Sequence, residues 1–247
     1  MAEIRRQRKR SGKRLAKGII FLVVCGAILG AVVYFPIFTL QEVKLVGAKY
    51  LTVEDILKIG DIYIDEPLFQ LETHKVASRL SKDVRIEDVT VRRALPHTLE
   101  VIITERTPIA TVVCNYGYLD IDKHGKILDS YKNLREMEIP MITGAVVKDL
   151  YVGDDVEDPI VKKILEFLEK FNAESLNKIS EVAIVAENYV VAYTATERSV
   201  QIRIGALERL EEKAKLTEDF LRDMDSNPNA IEYVDFNYNA PFIKLYQ

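Results

Sequence analysis

Along residues 38–107, the spacing of the hydrophobic positions changes from the period of a strand to that of a helix and then back to that of a strand. In "FTLQEVKLVG", Val43 and Leu45 alternate with polar neighbours, which predicts a half-buried strand. Two helical segments follow, "LTVEDILKIG" and "LETHKVASRLSKD", and then two runs of period two, "VRIEDVTVRRAL" and "TLEVIITER", joined by the turn "LPHT". The pattern predicts a small β-α-α-β-β domain in which two helices cover one face of a three-stranded sheet.

The first of these helices carries its own start and stop signals. Thr52 with Asp55 three residues later resembles a capping box, so we predict that the helix begins directly after Thr52. Gly60 stands where the apolar spacing ends, and we predict it to be the residue that follows the last helical turn.

From residue 108 the chain is dominated by short apolar runs separated by Gly and Pro. These runs predict strands at "IATVV", "YGYLDID", "KHGKILD", "SEVAIVA", "YVVAYTA", "SVQIRIG", "IEYVDFNYN" and "FIKLY". One helix is predicted at "EDPIVKKILEFLEKF", with Asp158 as N-cap and Pro159 at the first helical position, and a second over about residues 207–224. Residues 108–247 are therefore expected to form a larger, mainly antiparallel β domain with two helices, and the chain is assigned to the α+β class.

A different pattern precedes both regions. The run "GIIFLVVCGAILGAVVYFPIF" has 21 residues and no charge. A helix needs about 20 apolar residues to cross a bilayer, so a single N-terminal transmembrane helix is predicted over residues 18–37. A cleaved signal peptide fits less well, because its apolar core is typically about 7–15 residues long and ends at a small-residue cleavage site. A lipoprotein anchor at Cys25 fits poorly because bulky Val24 precedes it.

Charge gives this segment an orientation. Residues 1–17 contain eight basic side chains and one acidic one, whereas residues 18–247 have an excess of eleven acids. By the positive-inside rule, residues 1–17 form a cytoplasmic tail and the region after the span lies outside the cytoplasm. The acidic outer region disfavours nucleic-acid binding. Its one cysteine, Cys114, lies in an apolar run, which favours a buried structural thiol over a reactive one.

Motifs for catalysis or metal binding are missing from the sequence. His74, His97 and His124 have no His or Cys partner at metal-ligand spacing, and no common hydrolase or phosphate-binding motif occurs. The acidic stretch "DIDKHG" fits a hairpin turn better than a calcium loop. We therefore expect no enzyme activity, no cofactor, no metal and no small-molecule substrate.

The closing segment "YVDFNYNAPFIKLY" is rich in aromatic residues, which are favoured anchors of protein interfaces. Strict alternation would place Tyr233 and Asp235 on one face and Phe236 and Tyr238 on the other. A partner-binding site is one interpretation, and a core-facing role for about half of these residues is the alternative.

The layout as a whole resembles the FtsQ/DivIB cell-division proteins of bacteria. The stretch "RRALPHTLEVIITERTPIA" is similar to that family's R-x-x-P-x-T-L-x-[IV]-x-[IV]-x-E-R-x-P-x-A motif. Further similarity lies in "FTLQEVKLVG", "YLDIDKHGKIL", "IPMITG", "VQIRIG" and "VDFNY". The resemblance implies a POTRA domain at residues 38–107 and a β domain at residues 108–247.

It also implies a function and a set of site residues. The expected function is that of a single-pass, non-enzymatic scaffold at the division septum, which binds FtsL-type and FtsB/DivIC-type membrane proteins and other division proteins and helps control septal peptidoglycan synthesis. The partner is expected to add a strand to the last β strands. The match at "VDFNY" points to Asp235 and Tyr238, followed by the edge residues Phe242 and Ile243. The aromatic interpretation of the closing segment adds Tyr233 and Phe236 to the residues expected to bind the partner. Glu105, Arg106 and Pro108 are expected to form the joint between the two domains.

Two other functions stay open at this point. A POTRA domain on a membrane anchor could belong to a chaperone or assembly factor for exported proteins. An anchored cell-wall hydrolase would need a pair of catalytic carboxylates, which the sequence of an acidic domain neither identifies nor excludes.

Overall fold

The computed structural model describes residues 17–27, 30, 38–135, 138–224, 231–238 and 240–246. Residues 17–27 are helical (α1). Within the described residues, no helix combines the length and the apolar character that a membrane crossing requires. The predicted span at residues 18–37 falls partly on residues 28–29 and 31–37, which lie outside the described residues, as do residues 1–16 of the predicted cytoplasmic tail. The transmembrane helix therefore stays a prediction.

The chain divides into two compact units, Met1–Glu105 and Arg106–Gln247. After α1, the first unit has the predicted β-α-α-β-β order. Its elements are β1 (Glu42–Val46), α2 (Val53–Gly60), α3 (Thr73–Leu80), β2 (Ile86–Ala94) and β3 (Thr98–Glu105). The sheet order is β1-β3-β2, with β1 parallel to β3 and β2 antiparallel to it. The two helices carry the chain from β1 to β2 at the opposite edge of the sheet, and β3 then returns between these two strands.

The core of the first unit follows from the alternation in its strands. Leu99, Val101 and Ile103 are buried, as the period-two pattern predicts, and they pack with apolar residues of α2 and α3. The capping box is also confirmed, because Thr52 accepts from the Asp55 amide and Asp55 accepts from the Thr52 amide.

The predicted stop at Gly60 is wrong by one residue. Gly60 is the last helical residue, and Asp61 takes the left-handed conformation at φ 53°. The glycine is explained by packing: a Cβ at position 60 would lie 2.8 Å from the Ile62 side chain and 3.3 Å from that of Val76.

The second unit contains one nine-stranded sheet. Its strands are β4 (Pro108–Cys114), β5 (Gly117–Asp122), β6 (Ile127–Tyr131), β7 (Met141–Val147), β8 (Ile179–Ala186), β9 (Tyr189–Thr194), β10 (Gln201–Gly205), β11 (Ile231–Asp235) and β12 (Phe242–Leu245). The order across the sheet is β12-β11-β10-β9-β8-β7-β4-β5-β6. Among the described strand pairs of this sheet, antiparallel pairing predominates as predicted, but β4–β7, β7–β8 and β10–β11 are parallel.

The helices of this unit are α4 (Pro159–Leu168), α5 (Ala173–Asn177) and α6 (Leu210–Met224). Asp158 caps α4 as predicted, since its carboxylate accepts from the amides of Ile160 and Val161. The expectation of two helices is wrong, because α5 was not predicted. It is five residues long, too short to show a helical hydrophobic period, and its N-cap is Asn172, whose side chain accepts from the Ser175 amide.

The core of the second unit lies between the sheet and its helices. Phe167 and Leu221 supply the helical side, and Val182, Ile202 and Val234 supply strand positions. Cys114 packs against the border of this core and is partly buried, less than the buried thiol that its apolar run predicted.

Candidate partner-binding edge

The last described strand, β12, lies at one edge of the nine-stranded sheet. Strand β12 pairs antiparallel with β11, with Val234 opposite Ile243 and Asp235 opposite Phe242. Among the described residues, β12 has no second strand neighbour. All four of its residues are exposed, and three of them are large and apolar: Phe242, Ile243 and Leu245. An uncovered edge of this kind presents unpaired backbone groups and is a ready template for another strand.

A cavity of about 540 Å³ opens beside this edge. Its lining residues are Arg203, Tyr233, Asp235, Tyr238, Ala240, Pro241 and Phe242. The Arg203 guanidinium lies 3.6 Å from the centre of the Tyr233 ring, and the Phe242 ring centre is 6.0 Å from that of Tyr233. Because both contacts hold the Tyr233 ring, the aromatic wall of the cavity has a defined position.

The parallel pair β10–β11 and the helix α6 between them form the support behind the cavity. Lys213 of α6 is buried, and its ammonium donates to the carbonyls of Ile204 and Ala206, at 2.7 Å each, where β10 ends. Gly205 lies between these carbonyls at φ +66°, and a Cβ there would overlap the Asn237 side chain. Glycine fits this position because it tolerates the left-handed angle and leaves room for the Asn237 side chain.

The pKa values of two lysines near the cavity shift in opposite directions, because Lys213 is buried and Lys244 lies on the exposed edge. Burial lowers the pKa of the Lys213 ammonium, and the nearby Asp235 carboxylate opposes that shift. Asp235 is itself buried and accepts from the Asn237 amide at 2.9 Å. On the edge, a hydrogen bond of 3.0 Å to Glu232 raises the pKa of Lys244. Both lysines therefore already have partners within this unit.

Comparison with known proteins identifies the family. A family model described as "POTRA domain, FtsQ-type" matches residues 38–106, and one described as "Cell division protein FtsQ/DivIB, C-terminal" matches residues 110–237, which is more than half of the chain. The chain belongs to the FtsQ/DivIB family.

Curated relatives agree with this assignment. FtsQ of Geotalea daltonii is 23% identical over 209 residues, covering 83% of this chain and 75% of that protein. FtsQ of Syntrophotalea carbinolica is 24% identical over 231 residues, covering 92% and 80%. DivIB of Clostridium acetobutylicum is 25% identical over 151 residues and covers 60% of each chain. The role of this FtsQ/DivIB chain is therefore in cell division.

Among solved structures, the major extracytoplasmic domain of the cell-division protein DivIB from Geobacillus stearothermophilus matches with a TM-score of 0.34. It is 17% identical and covers 50% of this chain and 98% of that one.

The six residues that the sequence predicts for partner binding all lie in or next to β11 and β12, but not all reach the surface. Tyr233, Tyr238 and Phe242 line the cavity, and Ile243 is exposed on β12. Phe236 is 2% exposed and packs edge-on against Phe220 of α6, so it belongs to the core of this FtsQ/DivIB unit. Asp235 is mostly buried but also lines the cavity. Phe236 can therefore affect a partner only through the residues that it supports.

The alternation predicted for this segment is wrong beyond Asp235. Strand β11 ends at Asp235, so Phe236 and Tyr238 do not follow a strand period, and Tyr238 is 67% exposed although it was placed on the face of Phe236. Arg203 and Pro241 were missed. The polar position of Arg203 within the apolar run "VQIRIG", followed by a helix and a further strand, was the signal that could have found it.

The three residues expected at the domain joint have local partners. The Glu105 carboxylate accepts from the amides of residues 49, 50 and 51, with the shortest distance 2.8 Å to Leu51. Arg106 forms a mostly buried ion pair with Asp122 at 2.6 Å, and Pro108 opens β4. Each of these contacts is internal to one unit, and the role of the three residues as a joint stays a prediction.

Proposed function

We propose that this FtsQ/DivIB chain is a non-enzymatic scaffold of the division septum that binds FtsL-type and FtsB/DivIC-type membrane proteins and so helps control septal peptidoglycan synthesis. The uncharged run at residues 18–37 anchors it in the cell membrane with residues 1–17 in the cytoplasm. The POTRA domain (38–107) and the β domain (108–247) lie outside. Family membership supports the division role, and the exposed edge strand β12 is the observation that carries the partner-binding part.

The mechanism is strand addition. An extended segment of the partner pairs with β12, so that backbone hydrogen bonds provide affinity and side-chain pockets provide selectivity. The cavity bounded by Tyr233, Tyr238 and Phe242 receives a side chain of that segment. Because Arg203 and Phe242 hold the Tyr233 ring before the partner arrives, little side-chain ordering remains to be done on binding.

A pair of matched tyrosine variants tests the proposal. Tyr238 and Tyr151 lie in the same unit and are 67% and 64% exposed, but only Tyr238 lines the cavity. Tyr238→Ala should weaken binding of the purified FtsL/FtsB-type pair by about 1–3 kcal/mol, as for an aromatic interface anchor. Tyr151→Ala should leave it unchanged. Equal calorimetric affinities for Tyr238→Ala and the unmodified chain would contradict the proposed site.

A further inference from the structure

The first unit exposes a second group of apolar side chains, which the partner-binding edge does not explain. Tyr63, Ile64, Phe69 and Leu95 are 65%, 45%, 39% and 59% exposed, and together they are called the proximal patch. Aromatic residues with one apolar and one polar end are typical of the level where a membrane meets water.

Backbone contacts place the patch at the end of the unit where the chain arrives from residue 37. The amide of Leu68 donates to the Phe38 carbonyl at 2.8 Å, and the amide of Asp65 donates to the Leu40 carbonyl at 2.8 Å. The Phe38 and Phe69 ring centres are 5.3 Å apart. The segment that carries Tyr63, Ile64 and Phe69 is thus bound directly to residues 38–40.

Leu95 joins the same end through the turn between β2 and β3. The amide of Gln41 donates to the His97 carbonyl at 2.9 Å, two residues beyond Leu95. The Arg93 guanidinium donates to the carbonyls of Leu68 and Leu71, at 2.8 and 2.6 Å, and so fixes the loop that presents Phe69. The patch is held in place by the fold of the unit.

Chain length then limits the distance between the patch and a bilayer. Consecutive Cα atoms are about 3.8 Å apart, so Phe69, one residue from Leu68, lies within roughly 15 Å of the point where a span ending at residue 37 would leave the membrane. By the bonds of residues 40 and 41, Ile64, Tyr63 and Leu95 lie within roughly 20–30 Å of that point. These upper limits hold for any orientation of the unit. Interfacial side chains enter the headgroup region by about 5–10 Å, so this end of the unit is the part that lies nearest to that layer.

We propose that the proximal patch inserts into the outer headgroup layer of the membrane and seats the first unit on the lipid surface. The inference rests on the proposed membrane anchor. Lipid is favoured over a protein partner because a bilayer surface is already within reach of these side chains. The attraction is apolar, since Asp61, Asp65 and Glu66 in the same segment are acidic and give no attraction to anionic lipid.

The absence of tryptophan from the chain makes a direct test possible, because each Trp variant then has a single fluorescent reporter. The full chain would carry Tyr63→Trp or Leu95→Trp and be reconstituted in phosphatidylcholine vesicles with acyl chains brominated near the headgroup. Tyr50→Trp is the matched control. Tyr50 is 81% exposed, and its amide bonds Glu105 at the other end of β3. That end lies about 23 Å from Thr98 along an eight-residue strand.

We expect bromine quenching at positions 63 and 95 to exceed that at position 50 by roughly twofold or more, because only an inserted side chain reaches the acyl boundary. Phe21→Trp, within the predicted span, reports the anchor separately. Quenching at position 21 with equal quenching at positions 50, 63 and 95 would overturn the inference and leave the anchor standing. No quenching at position 21 would reject the anchor and the inference together. Circular dichroism of each variant confirms that the fold is kept.

Discussion

The two edge strands of the nine-stranded sheet differ in whether another segment of the chain pairs with them. At β6, residues 151–156 cover the Ile127 end of the edge: the amide of Ile127 donates to the Asp154 carbonyl at 3.0 Å, and the amide of Gly153 donates to the Ile127 carbonyl at 2.9 Å. At the other edge, no described segment covers β12. Exposed strand edges invite pairing with other chains. One sheet that closes one edge and leaves the other open is consistent with a docking role for the open edge.

The two edge strands also differ in the charge of their side chains. Strand β6 has a charged centre, where Asp129 pairs with Arg135 at 3.2 Å, and Lys126 beside it pairs with Asp155 at 2.7 Å. Strand β12 has one charge, Lys244, which Glu232 neutralises. Charges on an edge strand discourage added strands, so the remaining surface of β12 is apolar and permissive.

The largest expected effect comes from giving β12 the charged character of β6. The double variant Ile243→Lys with Leu245→Lys should weaken binding of the FtsL/FtsB-type pair by about 3 kcal/mol, or roughly a hundredfold, because two apolar contacts are replaced by charges that must be desolvated. Isothermal titration calorimetry measures the change. Both side chains are about half exposed, so the fold should be kept.

The matched control for this variant places the same two charges elsewhere on the unit. Val152→Lys with Val185→Lys changes side chains of similar exposure. Val185 lies on β8 and Val152 in the segment beside β6, and both are remote from β12 in the sheet. Affinity should then stay within a factor of about two, as surface substitutions change free energies by about 0.5 kcal/mol or less. Equal losses in the two double variants would show that general charge, and not the edge, controls binding.

The next effect tests the covered edge. Gly153 has φ +96° and its amide holds the cover on Ile127. Proline can neither adopt that angle nor donate this hydrogen bond, so Gly153→Pro should lower the free energy of unfolding by about 2–3 kcal/mol and expose β6 to self-association. Urea unfolding and sedimentation measure the two consequences.

Gly153→Ala separates strain from the lost hydrogen bond. Alanine keeps the amide donor, and a Cβ at position 153 meets no other atom within 4 Å. Its cost should be restricted to the left-handed angle, at about 1–2 kcal/mol, and the protein should stay monomeric. A Gly153→Pro protein that also stays monomeric would show that the cover does not protect β6 from pairing.

A pH experiment examines the interior side of the covered edge. Burial raises the pKa of Tyr131 on β6 to about 12, with a further contribution from its hydrogen bond to Asp120. The folded state therefore keeps a proton that the unfolded state loses, so stability is full below pH 10 and falls as the pH rises from 10 toward about 12. At about 1.4 kcal/mol for each pH unit between the two pKa values, this loss amounts to at most about 3 kcal/mol.

Tyr131→Phe removes the titrating group. The difference in unfolding free energy between the unmodified chain and this variant should favour the unmodified chain at pH 8 and shrink steadily above pH 10. Urea unfolding at a series of pH values measures it. Parallel curves for the two proteins would mean that Tyr131 does not carry the shift.

Local signals in the sequence were sufficient for part of this fold. Thr52 and Asp158 were recognised as helix caps because each acts on amides two or three residues away, and the alternation of Leu99, Val101 and Ile103 was enough to assign their faces. Gly60 was misassigned because its reason is contact with Ile62 and Val76, which no propensity describes.

The candidate site was predicted less completely than the fold. The resemblance led to Tyr238 and Phe242, whereas Phe236 was included because it is aromatic, and residue type does not separate an interface anchor from a core residue such as Phe236. The alternation rule did not resolve this, because β11 ends at Asp235. Arg203 reaches the site only because β10 pairs in parallel with β11, with Arg203 opposite Asp235. These two residues are 32 positions apart in the sequence, and α6 lies between their strands. The spacing of hydrophobic residues does not specify which residues of two such distant strands stand opposite each other.

The smallest expected effect compares two arginines. Arg203 stacks on Tyr233 at the open edge, at 3.6 Å, and Arg135 lies over Tyr131 at the covered edge, at 4.3 Å. Arg135 also pairs with Asp129, whereas Arg203 forms no ion pair within the part of the chain that the structure describes. Arg203→Gln should therefore free the Tyr233 ring and weaken partner binding by about 0.5–1 kcal/mol, the usual strength of an exposed cation–π contact.

Arg135→Gln is its matched control and should leave the affinity unchanged, because the ring that it covers belongs to the edge where no partner is expected. Calorimetry at two salt concentrations sharpens the comparison. A contribution that acts by holding the Tyr233 ring depends little on salt, whereas one that acts through a charge on the partner falls as salt screens it. If both substitutions weakened partner binding equally, the cation–π contact at the open edge would have no specific role in binding.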